Sequence, residues 1–356
     1  MIKKISIGAN VVDGPWGGGN LFFKNFINFF EKNGIKVINH LADQDIDIIL
    51  LTDPRKSSSS SSYTHREIEK YKKHVNKNVI VVQRINECDE RKSTNGINAY
   101  YMRSNKIADS TVFVSSWLKN IYTYQGFKGK SSVILGGGDS DIFNNSNLKK
   151  WNPPKRFKMT SHHWSANSNK GTDIYNQIDH LLDKNIWKEK LEFTYIGNVS
   201  SSMNFKNIKL VKPLSGARLA SELKKSNAYL TASLNEPSGN HHIEAGQCGL
   251  PILFIDSGGI TEYCKDFGIS YDKNTLEKQL ENLIQNYEEY YLKMKKYPHN
   301  NEKMMNEYMV LFKKLIEDRI IDKSNINLFK KSLILLYLVC LKILNYVKFN
   351  IFVNLR

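Results

Sequence analysis

Two carboxylates eight residues apart, Glu236 and Glu244, stand in the stretch EPSGNHHIEAGQCGLP (236–251), which runs directly into the apolar segment LPILFI. Glu236 closes a segment that reads as a strand, AYLTASLN, and Glu244 falls on the helix expected after it. Carboxylate oxygens accept hydrogen bonds in their own plane and therefore hold vicinal hydroxyls well. The backbone amides of Ser238, Gly239, Asn240 and His241 lie where that helix should start, which suits a phosphate. Hydroxyl-binding and phosphate-binding groups in one short stretch point to a nucleotide sugar. His241 is read as the histidine facing the ligand, with His242 turned to the core.

Three other stretches carry chemistry. SHHWSANSNKG (161–171) sets Lys170 and Gly171 before a helix, where an ammonium and a permissive backbone can meet a diphosphate. GPWGGGN (14–20) puts Gly17, Gly18, Gly19 and Asn20 between a first strand and a helix, so that backbone can approach a phosphate or sugar. It does not fit the dinucleotide pattern GxGxxG, and the next strand, IKVINH, ends in His40 rather than an acid. In QRINECDERK (83–92), Arg84 is placed to meet a phosphate or acceptor anion, and Asn86 or Asp89 to orient an acceptor hydroxyl. No metal is expected. His162 and His163 alternate across a strand, and Cys88, Cys248, Cys264 and Cys340 form no CxxC pair. The scattered cysteines also argue for a reducing compartment.

These groups need a scaffold that delivers loop ends to one place. Continuous runs such as VIVV and IDIILL suit strands buried on both faces, and they alternate with apolar-faced helical segments such as LFFKNFINFFEKNG, with Asn20 placed as its N-cap. That alternation implies a doubly wound parallel sheet. It breaks at GGGDSDIFNNSNLKKWNPPKR and then restarts, so two Rossmann-like α/β domains are expected, residues 1–145 and 146–300, with a cleft between them. Open sheets bind ligands beyond the carboxyl ends of their strands, which puts the site in that cleft. A helix is expected over 301–324, and 325–356 forms a basic apolar tail in which lysines recur among large apolar residues. The tail is too interrupted for a comfortable membrane span and reads as an anchor at an anionic membrane surface. The run SSSSSS (57–62) reads as a loop near the cleft.

The net charge is +16. Lysine greatly outnumbers arginine and is scattered rather than interleaved with aromatics, which argues against a nucleic-acid partner and for anionic substrates or a membrane. MIKKISIGANVV has no long apolar core, so no signal peptide is expected, and the chain is read as cytoplasmic and peripheral to a membrane.

Glu236 and Glu244 with the following CGLP (248–251) and DSGGITEY (256–263) resemble the donor-site signature of the retaining GT-B glycosyltransferases of the family 4 type, the glycosyl transferases group 1. NKG (169–171), ADSTVFVSSWLKN (108–120) and VILGGGDSDIF (133–143) resemble that family's other landmarks, in the family's order, over roughly residues 1 to 300. The resemblance implies a GT-B fold and retaining transfer of a sugar from a nucleoside diphosphate sugar to a glycan or lipid-linked acceptor, without a metal or other cofactor. It implies that Glu244 holds the ribose, that Glu236 with the amides of Ser238 to His241 holds the donor sugar, and that Lys170 neutralises the leaving diphosphate. Gly17 to Asn20 would cover the phosphates from the first domain. The family's arginine five residues before the lysine is replaced by Ser165, for which Arg84, Arg218 or a histidine could substitute. Two rivals follow from the same residues: a nucleotide-sugar epimerase on this fold, and a binder that has lost turnover.

Overall fold

Strands buried on both faces by flanking helices must be apolar throughout, and helices that cover them need one apolar stripe. The computed structural model of the protein describes residues 1–12, 17–165, 167–200, 202–320 and 336. One compact unit spans Lys3–Tyr308 and contains two parallel sheets. Residues 309–320 of the other unit are helical.

The first lobe runs β1 (Lys4–Ile7), α1 (Gly17–Lys32), β2 (Lys36–Ile38), β3 (Ile48–Leu51), α2 (His65–His74) and β4 (Ile80–Ile85). It continues with α3 (Asp89–Lys92), α4 (Ile97–Ser104), β5 (Ser110–Phe113), α5 (Ser116–Tyr124) and β6 (Ser131–Val133). Its sheet order is β2-β1-β3-β4-β5-β6. β3, β4 and β5 are buried at every residue, as strands covered on both faces must be. On α1, Phe22, Phe26 and Phe30 recur every fourth residue, so they share one face, and all three are buried. Each such ring contributes roughly 1.5–3 kcal/mol on burial. Asn20 does not cap α1, which already starts at Gly17. From the first turn its side chain reaches back to Val12, accepting from the amide at 2.9 Å and donating to the carbonyl at 2.7 Å.

The second lobe runs β7 (Phe157–His163), α6 (Thr172–Leu181), α7 (Asn185–Lys190), β8 (Leu191–Gly197), β9 (Lys209–Val211), α8 (Gly216–Leu223) and β10 (Ala228–Thr231). Then come α9 (Asn240–Gln247), β11 (Ile252–Ile255), α10 (Ile260–Cys264), β12 (Gly268–Tyr271), α11 (Leu276–Gln285) and α12 (Tyr287–Met294). The order β12-β11-β10-β7-β8-β9 is doubly wound: the chain adds strands outward from β7 in one direction, then returns to its other side at β10. One core, around Phe157, Tyr175, Trp187 and Phe193, covers one face of this sheet; another, around Tyr229, Ile243, Phe254 and Tyr263, covers the opposite face. The crevice between β7 and β10 is the topological switch point, where such sheets bind ligands.

Residues 13–16 of the glycine-rich turn and nearly all of the tail at 325–356 lie outside the described residues. Among the described residues no helix is long and apolar enough to cross a membrane.

Candidate functional site

Lys170 follows β7 and Glu236 follows β10, so the switch point brings together two side chains sixty-six residues apart. Lys170 Nζ lies 2.5 Å from Glu236 Oε2. Two glycine contacts explain how the backbone allows this. Gly171 has φ of +86°, and a Cβ there would stand 2.3 Å from the carbonyl oxygen of Ala232 at the end of β10. Only glycine lets the two loops approach so closely. On the other side, Gly258 of DSGG has φ of +69° and abuts the Glu236 backbone, while the Gly259 amide donates to the Glu236 carbonyl at 2.9 Å. The loop after β11 therefore fixes the loop after β10.

Glu236 is buried. Burial on its own would raise the pKa of this carboxyl, but the neighbouring Lys170 and Arg91 charges outweigh it and hold the group below the ordinary glutamate value. Arg91 comes from α3 of the first lobe, and its Nε lies 3.2 Å from Glu236 Oε1. Its carbonyl accepts from Asn169 Nδ2 at 2.7 Å, the residue before Lys170. Arg91 and Lys92 also flank Glu87 Oε2, at 3.5 and 2.8 Å.

Glu244 projects from the middle of α9 and bonds His162 of β7, Oε2 to Nε2, at 3.0 Å. The buried Nδ1 of His162 is left without a partner. The amino end of α9 meets the first lobe. A Cβ on Gly18 would stand 3.0 Å from Asn240 Nδ2, whereas the Cβ position of Gly19 is open. Gly239 stands just before the helix with φ of +77°. Ser238 Oγ lies 3.1 Å from the Tyr263 hydroxyl, which donates to Val114 O at 2.8 Å and accepts from Gly136 N at 2.7 Å. Glu262 accepts from the amides of Ser116 and Trp117, both at 2.8 Å, and so satisfies the amino end of α5 from across the cleft.

The remaining expected residues sit differently. Arg84 is buried at the end of β4 with its guanidinium carbon 4.1 Å from the Phe22 ring centre, stacked against α1. Asn86 is partly exposed in the loop after β4. Asp89 is committed to its own lobe. Its carboxylate accepts from the amides of Ile97, Asn98 and Gly96 and from the Thr94 hydroxyl, at 2.9 to 3.2 Å, so it organises the start of α4. His241 is buried and bonded to Thr231 Oγ1 at 2.8 Å; His242 is buried as well, with neither ring nitrogen partnered. Ser165 is exposed and accepts from Asn167 Nδ2. Arg91 and Glu262 carry cross-lobe contacts that the sequence reading did not assign, although both lie inside stretches it singled out, QRINECDERK and DSGGITEY.

A cavity of about 1030 Å³ lies at the opposite, amino-terminal end of the second sheet, lined by Lys155, Arg156, Lys158, Lys224 and Asn227. It is remote from Lys170 and Glu236, and the strand-end position of those two argues for the crevice as the site. Among the described residues no group of three or more His, Cys, Asp or Glu side chains could hold a metal ion.

Residues 190–303 match the family model described as Glycosyl transferases group 1. The fold is similar to sucrose-phosphate synthase from Thermosynechococcus elongatus, with a TM-score of 0.62 at 12% identity over 89% of this chain and 100% of that one. It is similar to HepE of Anabaena, solved with UDP-glucose, with a TM-score of 0.61 at 12% identity over 89% of this chain and 100% of the other. A lipopolysaccharide outer core galactosyltransferase gives 0.62 at 13% identity over 90% of this chain and 99% of its own. No curated protein sequence matches the chain significantly.

Proposed function

We propose that the chain is a GT-B glycosyltransferase of the group 1, family 4 type, and that it transfers a sugar with retention from a nucleoside diphosphate sugar to a glycan or lipid-linked acceptor. The observation that carries this reading is the convergence of Lys170 and Glu236 at the switch point, with Glu244 on the adjoining helix. In the proposed complex Glu244, oriented by His162, takes the ribose hydroxyls. Glu236 and the amides around Ser238 to His241 take the donor sugar, and Lys170 meets the diphosphate. Gly17, Gly18, Gly19 and Asn20 close over the phosphates from the first lobe. That lobe is the acceptor side, with Asn86 near the acceptor and Arg84 positioned through α1; the lobes divide near residue 145.

The bond between sugar C1 and the β-phosphate oxygen breaks, its electron pair staying on that oxygen. The acceptor oxygen bonds to C1 on the same face, and its proton leaves by way of the departing diphosphate. Cations and amides fixed before the reaction stabilise the charge that develops on the leaving group, without reorganising to do so. Two similar structures support this reading: HepE was solved with UDP-glucose, and the other is a lipopolysaccharide outer core galactosyltransferase.

Thermal denaturation against a panel of nucleoside diphosphates and their sugars tests the donor assignment, because a ligand bound only by the folded state raises its apparent stability. One nucleoside diphosphate should raise the midpoint selectively, and Glu244→Ala should weaken that ligand by tenfold or more. Unchanged donor affinity in Glu244→Ala removes the ribose role. The basic tail is proposed to rest on an anionic membrane, and equal sedimentation of the full chain and a chain ending at 320 with anionic vesicles would exclude that.

A further inference from the structure

A cross-lobe charge contact at the proposed donor site is made by Arg91, to which nothing so far assigns a role. Glu236 is a single buried carboxylate, yet it holds two cations, Lys170 on one oxygen and Arg91 on the other. With Glu87 and Lys92 included, this cluster sets three cations against two carboxylates. A cluster with one positive charge in excess where the two lobes meet is arranged for an incoming anion.

We infer that Arg91 is the second cation on the donor's diphosphate, supplied by the first lobe in place of a cation at Ser165. The inference rests on the donor-site reading above and extends it. Arg91 and Lys170 are held in step, because Asn169, next to Lys170, donates to the Arg91 carbonyl. A guanidinium can grip two phosphate oxygens at once, which a lysine cannot. Ser165 is exposed, and its hydroxyl partners Asn167. When the C1–O bond breaks, the added negative charge falls on the β-phosphate, between Lys170 and Arg91. Because Arg91 arrives from the opposite lobe, the leaving group is neutralised only when the lobes have met, which ties bond cleavage to closure.

The test uses Arg91→Gln, Arg91→Lys and Arg91→Gln with Ser165→Arg, in the full chain, with the donor the panel selects. Arg91→Gln should lower kcat by about a hundredfold, in the range seen when one preorganised charge-stabilising group is lost. It should weaken the nucleoside diphosphate about tenfold and leave the monophosphate of the same base unchanged. Arg91→Lys should keep part of the rate, and Ser165→Arg should restore at least tenfold of kcat to Arg91→Gln. A residue that merely holds the lobes together would weaken both nucleotides alike and gain nothing from Ser165→Arg. Either result overturns the inference, as does wild-type kcat in Arg91→Gln. If Arg91→Gln is silent while Glu244→Ala abolishes donor binding, the transferase reading stands without this role; a wild type that binds no donor removes both.

Discussion

Replacing Glu236 by Gln separates what this carboxylate does for folding from what it does for catalysis. The amide keeps the shape and can still accept from Lys170, but it removes the charge on which both Lys170 and Arg91 are seated, at 2.5 and 3.2 Å. Breaking a fully buried ion pair from one side costs about 3–5 kcal/mol, because the partner charge is left uncompensated. Here the partners keep some water, with side-chain exposures of 13% for Lys170 and 32% for Arg91, so a loss of about 2–4 kcal/mol is expected. For a chain of this size that corresponds to a fall of roughly 3–5 °C in the thermal midpoint. Affinity should move the other way. With two cations released toward the crevice, a nucleoside diphosphate, which lacks the sugar that Glu236 is proposed to hold, should bind several-fold tighter and restore more stability than in the wild type. Turnover should be lost. Denaturation with and without the diphosphate, followed by single-turnover kinetics, reads all three quantities. A variant as stable as the wild type, or one that binds the diphosphate more weakly, would falsify the view that Glu236 occupies its two cations until donor arrives.

Gly171→Ala should destabilise by about 2–4 kcal/mol, since it demands a positive φ and sets a methyl group against the Ala232 backbone; a denaturation midpoint within error of wild type would show that the two loops are not in such close approach. Acid should weaken the fold earlier than its carboxylates require. Burial pushes His242 down to about 3 and His299 to about 4, so both stay neutral in the folded protein where the unfolded chain takes up protons near 6.5. Their contribution is complete above that value and falls as the pH drops through it, by about 1.4 kcal/mol per pH unit for each group. From pH 7.5 to 5.5 the unfolding free energy should therefore drop by at least roughly 2.5 kcal/mol. His163 and His241, also pushed down by burial, add to that fall. The Glu236 term acts in the same direction but only below about 4.5. Urea unfolding that is flat between pH 7.5 and 5.5 would contradict the buried neutral histidines.

The order of elements was legible because strands covered on both faces leave apolar runs, as in VIVV and IILL, and because α1 repeats phenylalanine every fourth residue. That the segments carrying Lys170 and Glu236 lie beyond strand ends was legible from strand-end logic, which needs no side-chain detail; their ion pair was not. What was not legible depends on distances between segments far apart in sequence. Arg91 reaches Glu236 only because the lobes approach, and no local pattern around DERK encodes that reach. Asp89 was placed beside an acceptor hydroxyl because the turn it organises, residues 94–98, forms around it only in three dimensions. Asn20 has the chemistry of an N-cap, but α1 starts earlier, on glycines of poor helix propensity, and packing at Asn240 and the phenylalanine face prevails.

Glu262 and Tyr263 stand one helical turn beyond the glycines that fix Glu236, and they bond the first lobe at Val114, Ser116 and Trp117. The same short segment thus fixes the loop that carries Glu236 on one side and fastens the lobes on the other. The two lobes are therefore not interchangeable modules. A hybrid that imports a foreign second lobe, to alter the sugar this chain is proposed to transfer, would inherit a fastener cut for a different strand end. Such a graft should succeed only when residues 113–117 travel with it.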